Sequence, residues 1–124
     1  MRILLVDDEA ELVSTLAERL EIRGIKADWA ISGEEALDLT EHTLYDLAVL
    51  DIKIPRISGV SLKKMLQEKN PNMKFIFMTG HGSEDDFRAG SIEAGAEFYL
   101  VKPVEINTLI EKMKEALRGQ GGVL

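Results

Sequence analysis

Four short runs of the chain are apolar at every position, and each stops on a polar residue. Ile3-Leu4-Leu5-Val6 precedes Asp7-Asp8, Leu47-Ala48-Val49-Leu50 precedes Asp51, Phe75-Ile76-Phe77-Met78 precedes Thr79, and Phe98-Tyr99-Leu100-Val101 precedes Lys102. Runs this short that are apolar on both faces predict strands buried between two layers. A fifth run, Ile25 to Ile31, alternates apolar and polar residues and so predicts an edge strand with one wetter face, on which Trp29 is expected to pack against a helix. Between the strands the spacing becomes helical. Leu12, Val13, Leu16, Ala17 and Leu20 form one stripe that stops at Gly24. Further helices are predicted over 33–43, with Ala36, Leu37 and Leu39 inward, over 61–69, ended by Asn70-Pro71, and over 83–94, opened by Ser83 and closed by Gly95. The last runs from about Glu105 to Arg118 on a stripe of Ile106, Leu109, Ile110, Met113, Ala116 and Leu117.

Strand and helix alternating five times predict an α/β fold, a parallel sheet covered by helices on both faces. Right-handed crossovers leave few topologies, and a second strand at the edge selects the flavodoxin-like doubly wound (βα)5 three-layer sandwich with strand order 2-1-3-4-5. Residues 1–118 form the expected domain, and the Gly-rich 119–124 is expected to be a flexible tail or the start of a linker.

Composition narrows the possible chemistry. With 124 residues, no Cys, and 22 acidic against 15 basic side chains, the formal net charge is −7. A chain without Cys has no disulfide framework, thiolate metal site or thiol nucleophile. The acid excess argues against direct nucleic-acid contact, which needs clustered Lys and Arg. No apolar run approaches the roughly 20 residues that cross a bilayer, and Met1-Arg2 leads straight into a strand, so a cytoplasmic location without membrane contact is expected.

In open parallel sheets ligands sit beyond the carboxyl ends of the strands, where the winding direction reverses. In this order that point lies between strands one and three. It brings Asp7, Asp8 and Asp51 into one small volume, with Thr79 and Lys102 arriving from strands four and five. Carboxylates crowded this closely raise one another's pKa unless a cation neutralises them, and an oxygen-only donor set indicates a hard ion, Mg²⁺ most simply, with Mn²⁺ as a substitute. A carboxylate beside such an ion, a hydroxyl and a Lys is equipped to accept a phosphoryl group. Neither a G-x-x-x-x-G-K-[ST] loop nor G-x-G-x-x-G is present, so the group must arrive on something other than a conventionally bound nucleotide.

The ordered set Asp7-Asp8, Leu50-Asp51-Ile52-Lys53-Ile54-Pro55-Arg56-Ile57-Ser58-Gly59, Met78-Thr79-Gly80 and Lys102-Pro103 resembles the receiver domain of two-component response regulators, from Arg2 to about Leu117. The resemblance implies that Asp51 is the phospho-acceptor, served by a histidine kinase or histidine phosphotransfer protein. It implies Mg²⁺ held by Asp8, Asp51 and the backbone carbonyl of Lys53, with Asp7 acting mainly through metal-bound water. Lys102 and the Thr79 hydroxyl would take phosphoryl oxygens, and Tyr99 would be the aromatic switch that turns inward as Thr79 moves. Pro55 and Gly59 would shape the loop, and Pro103 would follow a cis peptide bond. Lys53 and His81 stand where the family tunes phosphoryl lifetime, and two cationic groups there are expected to slow self-hydrolysis. Such a domain undergoes phosphorylation and dephosphorylation on itself but turns over no external substrate. Its output would lie in the same or another chain, with a phosphorylation-dependent homodimer through the 83–94 helix, the fifth strand and the last helix. Val104 and Ile54 depart mildly from the commonest family pattern, apolar for apolar.

Each residue also has a plainer reading. Asp8 with Glu11 fits a helix capping box, Asp51 could open a turn, Lys102 alone would be solvated, and Tyr99 could be simple packing. His42 and His81 are expected at the surface. Two other functions fit parts of the pattern: a small Mg²⁺-dependent phosphatase or phosphotransferase with an Asp nucleophile, and a non-phosphorylated receiver-like interaction module. The first lacks room for a substrate-closing cap, and the second leaves every chemical position filled without use.

Overall fold

The computed structural model describes residues 1–80 and 98–118. The helix expected over 83–94, His81 and the 119–124 tail lie outside them. In chain order the elements are β1 (Arg2–Val6), α1 (Ala10–Ile22), β2 (Lys26–Ala30), α2 (Gly33–His42), β3 (Leu47–Asp51), α3 (Gly59–Lys69), β4 (Lys74–Thr79), β5 (Tyr99–Val101) and α4 (Ile106–Leu117). All strand pairs are parallel and their order is β2-β1-β3-β4-β5, as the spacing predicts.

The apolar runs supply both faces of the sheet in alternation. Ile3, Leu5, Leu47, Val49, Ile76, Met78 and Leu100 face α1 and α4, and they meet Val13, Leu16, Leu20, Leu109 and Met113. Their neighbours Leu4, Val6, Ala48, Leu50, Phe75, Phe77 and Tyr99 face the opposite way, toward α2 and α3, with Ala36, Leu62, Leu66 and Tyr45. Period-two alternation between two apolar layers is why these strands carry no polar residue until they end.

Several boundaries move for local reasons. Helix α3 begins at Gly59 rather than Ser61, because the Ser58 side chain caps it by accepting the Ser61 N–H at 3.1 Å. Helix α2 opens on a cap that sequence reading passed over: Ser32 accepts from the Glu35 N–H, and Glu35 reaches back to the Ile31 N–H. Gly24 ends α1 with φ +79°, a conformation that a β-carbon disfavours. Trp29 is 42% exposed, so it is not covered by a helix as its alternating position suggested. Strand β2 reads exposed, buried, intermediate, exposed, buried, so its alternation is broken at Asp28.

Candidate functional site

The strand register assembles the site. Val6 pairs with Leu50, Leu50 with Phe77, and Phe77 with Tyr99. One step further on, Asp7 and Asp51 emerge side by side from β1 and β3, strands about 4.8 Å apart. Two steps on, Thr79 pairs with Val101, and the amide of Lys102 donates to the Thr79 carbonyl at 2.7 Å. Lys102 therefore starts three strands away from β1 and reaches back over β4 and β3.

Asp7 and Asp51 are held in the same way. Oδ1 of Asp7 accepts the Glu9 N–H at 2.8 Å, and Oδ1 of Asp51 accepts the Lys53 N–H at 3.1 Å, each closing a turn two residues long. Each Oδ2 then faces Lys102 Nζ, at 2.5 Å for Asp7 and 3.1 Å for Asp51. The Asp7 contact is a close ion pair out of hydrogen-bond alignment, which leaves that buried oxygen without a hydrogen bond. Asp7 is fully buried, Asp51 nearly so, and Asp8 exposed. Asp8 does not cap α1, whose N-cap is Glu9 without a side-chain cap bond, so the capping-box reading of Asp8 is not what the fold uses.

Burial pushes the Asp51 carboxyl above its ordinary range; Lys102 and the Lys53 amide pull against that, and the charge of Asp8 adds to it. Asp7 is likewise raised by burial, opposed by Lys102 and the Glu9 amide and reinforced by Asp51. For Lys102 burial would favour the neutral amine, but its close contacts with the negative Asp7 and Asp51 outweigh it and raise its pKa. The ammonium is thus fixed as a cation, yet one ammonium faces three carboxylates, those of Asp7, Asp51 and Glu9.

That imbalance fits a divalent cation. Asp7, Asp8 and Asp51 each offer an oxygen, all within 4.8 Å of one another, and one buried oxygen of Asp7 has no hydrogen bond. Carboxylate-only donors, one of them open to solvent, suit Mg²⁺ or Mn²⁺, which keep several waters.

The remaining expected residues surround this cluster. The Thr79 hydroxyl is buried and donates to the Gly80 carbonyl at 3.1 Å. Tyr99 is 6% exposed and lies in the core face with Phe77 and Leu50. The Lys102–Pro103 peptide is cis. Lys53 and Pro55 are exposed on the β3–α3 loop, and His42 is exposed on α2. Gly59 closes that loop by donating to the Ile52 carbonyl at 2.8 Å, and it packs so tightly that a β-carbon would stand 2.3 Å from the Asp51 carbonyl oxygen. Arg56, in the same loop, adopts φ +71° inside a three-residue turn in which Ile57 N–H meets the Pro55 carbonyl.

Sequence reasoning missed Glu9. Its Oε1 lies 3.2 Å from Lys102 Nζ, across 93 residues of chain. Its only signal in the sequence is being a third acid after Asp7-Asp8.

Comparison with known proteins agrees with this geometry. The model of the response regulator receiver domain matches residues 3–114. The chain is 39% identical over 117 residues to the transcriptional regulatory protein CpxR of Escherichia coli strain K12, covering 94% of this chain and 49% of CpxR. It is 36% identical over 120 residues to the transcriptional regulatory protein PrrA of Mycobacterium leprae, covering 97% and 51%. The chain thus spans about half the length of these curated relatives. A CheY-like response regulator receiver domain from Methanospirillum hungatei superposes with a TM-score of 0.85 at 36% identity, covering 97% of this chain and 95% of that one. Among the described residues no helix is long and apolar enough to cross a membrane. With the family model matching residues 3–114, these relatives and the shared fold, this chain belongs to the response regulator receiver domains of two-component signalling.

Proposed function

We propose that residues 1–118 act as a phosphorylation switch: Asp51 takes a phosphoryl group from a histidine kinase or histidine phosphotransfer protein, in the presence of Mg²⁺ or Mn²⁺, and later loses it by hydrolysis on the same domain. The loaded state would control an output domain in the same or another chain, in the cytoplasm. The observation that carries this reading is the Asp51 carboxylate itself, nearly buried, with Lys102 Nζ at 3.1 Å and two further carboxylates beside it.

Asp7, Asp8 and Asp51, with the backbone carbonyl of Lys53, would hold the ion. Bound there, it offsets the crowded negative charge and neutralises oxygens of a phosphoryl group in transit. Asp51 attacks phosphorus in line with the leaving imidazole nitrogen. The new O–P bond forms as the N–P bond breaks, and the nitrogen keeps the electron pair. Asp51 attacks as the carboxylate, so no proton has to leave it. Lys102 then takes a phosphoryl oxygen in a charge-assisted hydrogen bond. The Thr79 hydroxyl has only its local bond to Gly80 to give up in order to donate to the same group. Tyr99, already inward, would hold the altered surface of β5 and α4.

The test is incubation with a small acyl phosphate and Mg²⁺, followed by intact-mass measurement. Wild type gains one phosphoryl group and Asp51→Asn gains none. An equal adduct on the variant, or none on wild type, removes this reading.

A further inference from the structure

Lys102 Nζ is enclosed by three carboxylates: Asp7 at 2.5 Å, Asp51 at 3.1 Å and Glu9 at 3.2 Å. Of its three N–H donors, two are given to Asp51 and Glu9, and Asp7 stands against the ammonium as an ion pair, so three anionic partners compete for it before any phosphoryl group arrives. To bind a phosphoryl oxygen it must release one partner. Asp7 is fully buried, and stripping its ion pair would leave a charge without compensation. Asp51 is the group being modified. Glu9 stands apart from both: its side chain is 66% exposed, so water replaces Lys102 there at little cost. It is also outside the acidic trio, at the N-cap of α1, where its side chain makes no cap bond.

We propose that Glu9 is a positioning residue: it holds the Lys102 ammonium in the unloaded domain and is the partner that Lys102 gives up when Asp51 is phosphorylated. This rests on Asp51 being the acceptor. The Glu9 contact exists before transfer and is gone once the phosphoryl group is in place. It therefore slows loading and leaves unloading alone. An exposed ion pair is worth up to about 1 kcal/mol, so the effect on loading is about two- to fivefold.

The experiment compares wild type, Glu9→Gln and Glu11→Gln at saturating Mg²⁺ by intact-mass time courses. The donor is an acyl phosphate, whose O–P bond breaks with the electron pair leaving on the carboxylate. Glu11 also lies in the first turn of α1, so its neutralisation makes the same change in net charge. A donor concentration series separates the maximal loading rate from the half-saturating concentration, and removal of donor gives the unloading rate. Glu9→Gln is expected to raise the maximal loading rate about two- to fivefold, with the half-saturating concentration and the unloading rate unchanged and Glu11→Gln matching wild type. A change confined to the half-saturating concentration would mean a field effect on the anionic donor and overturn the proposal. Equal behaviour of the two variants, or of Glu9→Gln and wild type, overturns it as well. If wild type takes up no phosphoryl group, the acceptor reading fails first and this one with it. Melting curves of the three proteins show whether an altered rate reflects folding, and Glu9→Gln is expected to melt with wild type.

Discussion

Nζ of Lys102 lies 3.1 Å from Oδ2 of Asp51 and 2.5 Å from Oδ2 of Asp7, bridging two buried carboxylates that β1 and β3 place side by side. Without the ammonium, both would face the exposed Asp8 with no charge of opposite sign among their described partners. Removing one member of a buried ion pair typically costs about 3–5 kcal/mol. Lys102→Met, which keeps the aliphatic stem, is therefore expected to lower the melting temperature by roughly 10 °C or more in chelator. Added Mg²⁺ should restore part of the loss, since a cation at the carboxylates substitutes for the missing charge. Thermal denaturation with and without Mg²⁺ checks both, and a variant that melts like wild type in chelator would contradict the role given to Lys102.

Asp51 gives the opposite sign. Burial raises its pKa in the fold, so its contribution to stability is complete below the ordinary value of 3.8 and is lost as pH rises through the folded value. At neutral pH the ionised form is a burden on the metal-free domain. Asp51→Asn should then melt higher than wild type in chelator, by roughly 2–5 °C, the size of a change of about 1 kcal/mol in a domain of this length. Mg²⁺ should narrow the gap by stabilising wild type alone.

The same groups set the pH dependence of cation binding. A carboxylate must be ionised to hold the metal. Since Asp7 and Asp51 are both raised, the Mg²⁺-induced rise in melting temperature should fade on acidification before pH reaches 3.8. Melting temperatures with and without Mg²⁺ from pH 8 downward measure this. Persistence of the full Mg²⁺ effect down to pH 4 would argue against these carboxylates as the ligands.

The strands, their order and the acidic trio were legible in the sequence because fully apolar runs that stop on Asp7, Asp51, Thr79 and Lys102 encode both the sheet and its carboxyl edge. Register then follows from topology. What was not legible depends on contacts far apart in the chain. Glu9 meets Lys102 only after β5 pairs with β4 and the Lys102 side chain reaches back over the sheet, and nothing in their spacing announces it. Trp29 was misjudged because alternation on an edge strand says which side a residue takes, not whether a helix extends far enough to cover it. Gly59 is legible as a loop former, but not that its tightest neighbour is the backbone of Asp51.

That neighbour makes Gly59 a sensitive position. A β-carbon there would lie 2.3 Å from the Asp51 carbonyl oxygen and 2.8 Å from the Ile52 α-carbon, both backbone atoms with no rotamer to yield. Gly59→Ala must shift either the start of α3 or the end of β3. A destabilisation of about 2–3 kcal/mol is expected, toward the upper end for overpacking. If the β3 end moves, phosphoryl uptake should also fall more than the loss of folded protein explains. Denaturant unfolding together with acyl-phosphate uptake per folded molecule separates the two. A variant as stable as wild type would show that the loop relaxes freely.

At the other end of the sheet the buried Tyr45 hydroxyl donates to Asp28 Oδ2 at 2.7 Å. Burial, then this hydrogen bond and the Asp28 charge, push the phenol up to about 12. In the unfolded chain it titrates near 10. The folded state therefore keeps a proton that the unfolded state has lost between these values. The stabilisation is complete below about pH 10 and disappears as pH rises through 12. Tyr45→Phe removes a hydrogen bond to a charged group and should cost about 1–2 kcal/mol at neutral pH. The variant should also lose stability less steeply than wild type above pH 10, because it has no phenol to ionise. Lys102 titrates in both proteins, so the difference between their unfolding curves isolates Tyr45. Parallel curves through alkaline pH would mean that the phenol titrates alike in folded and unfolded chains.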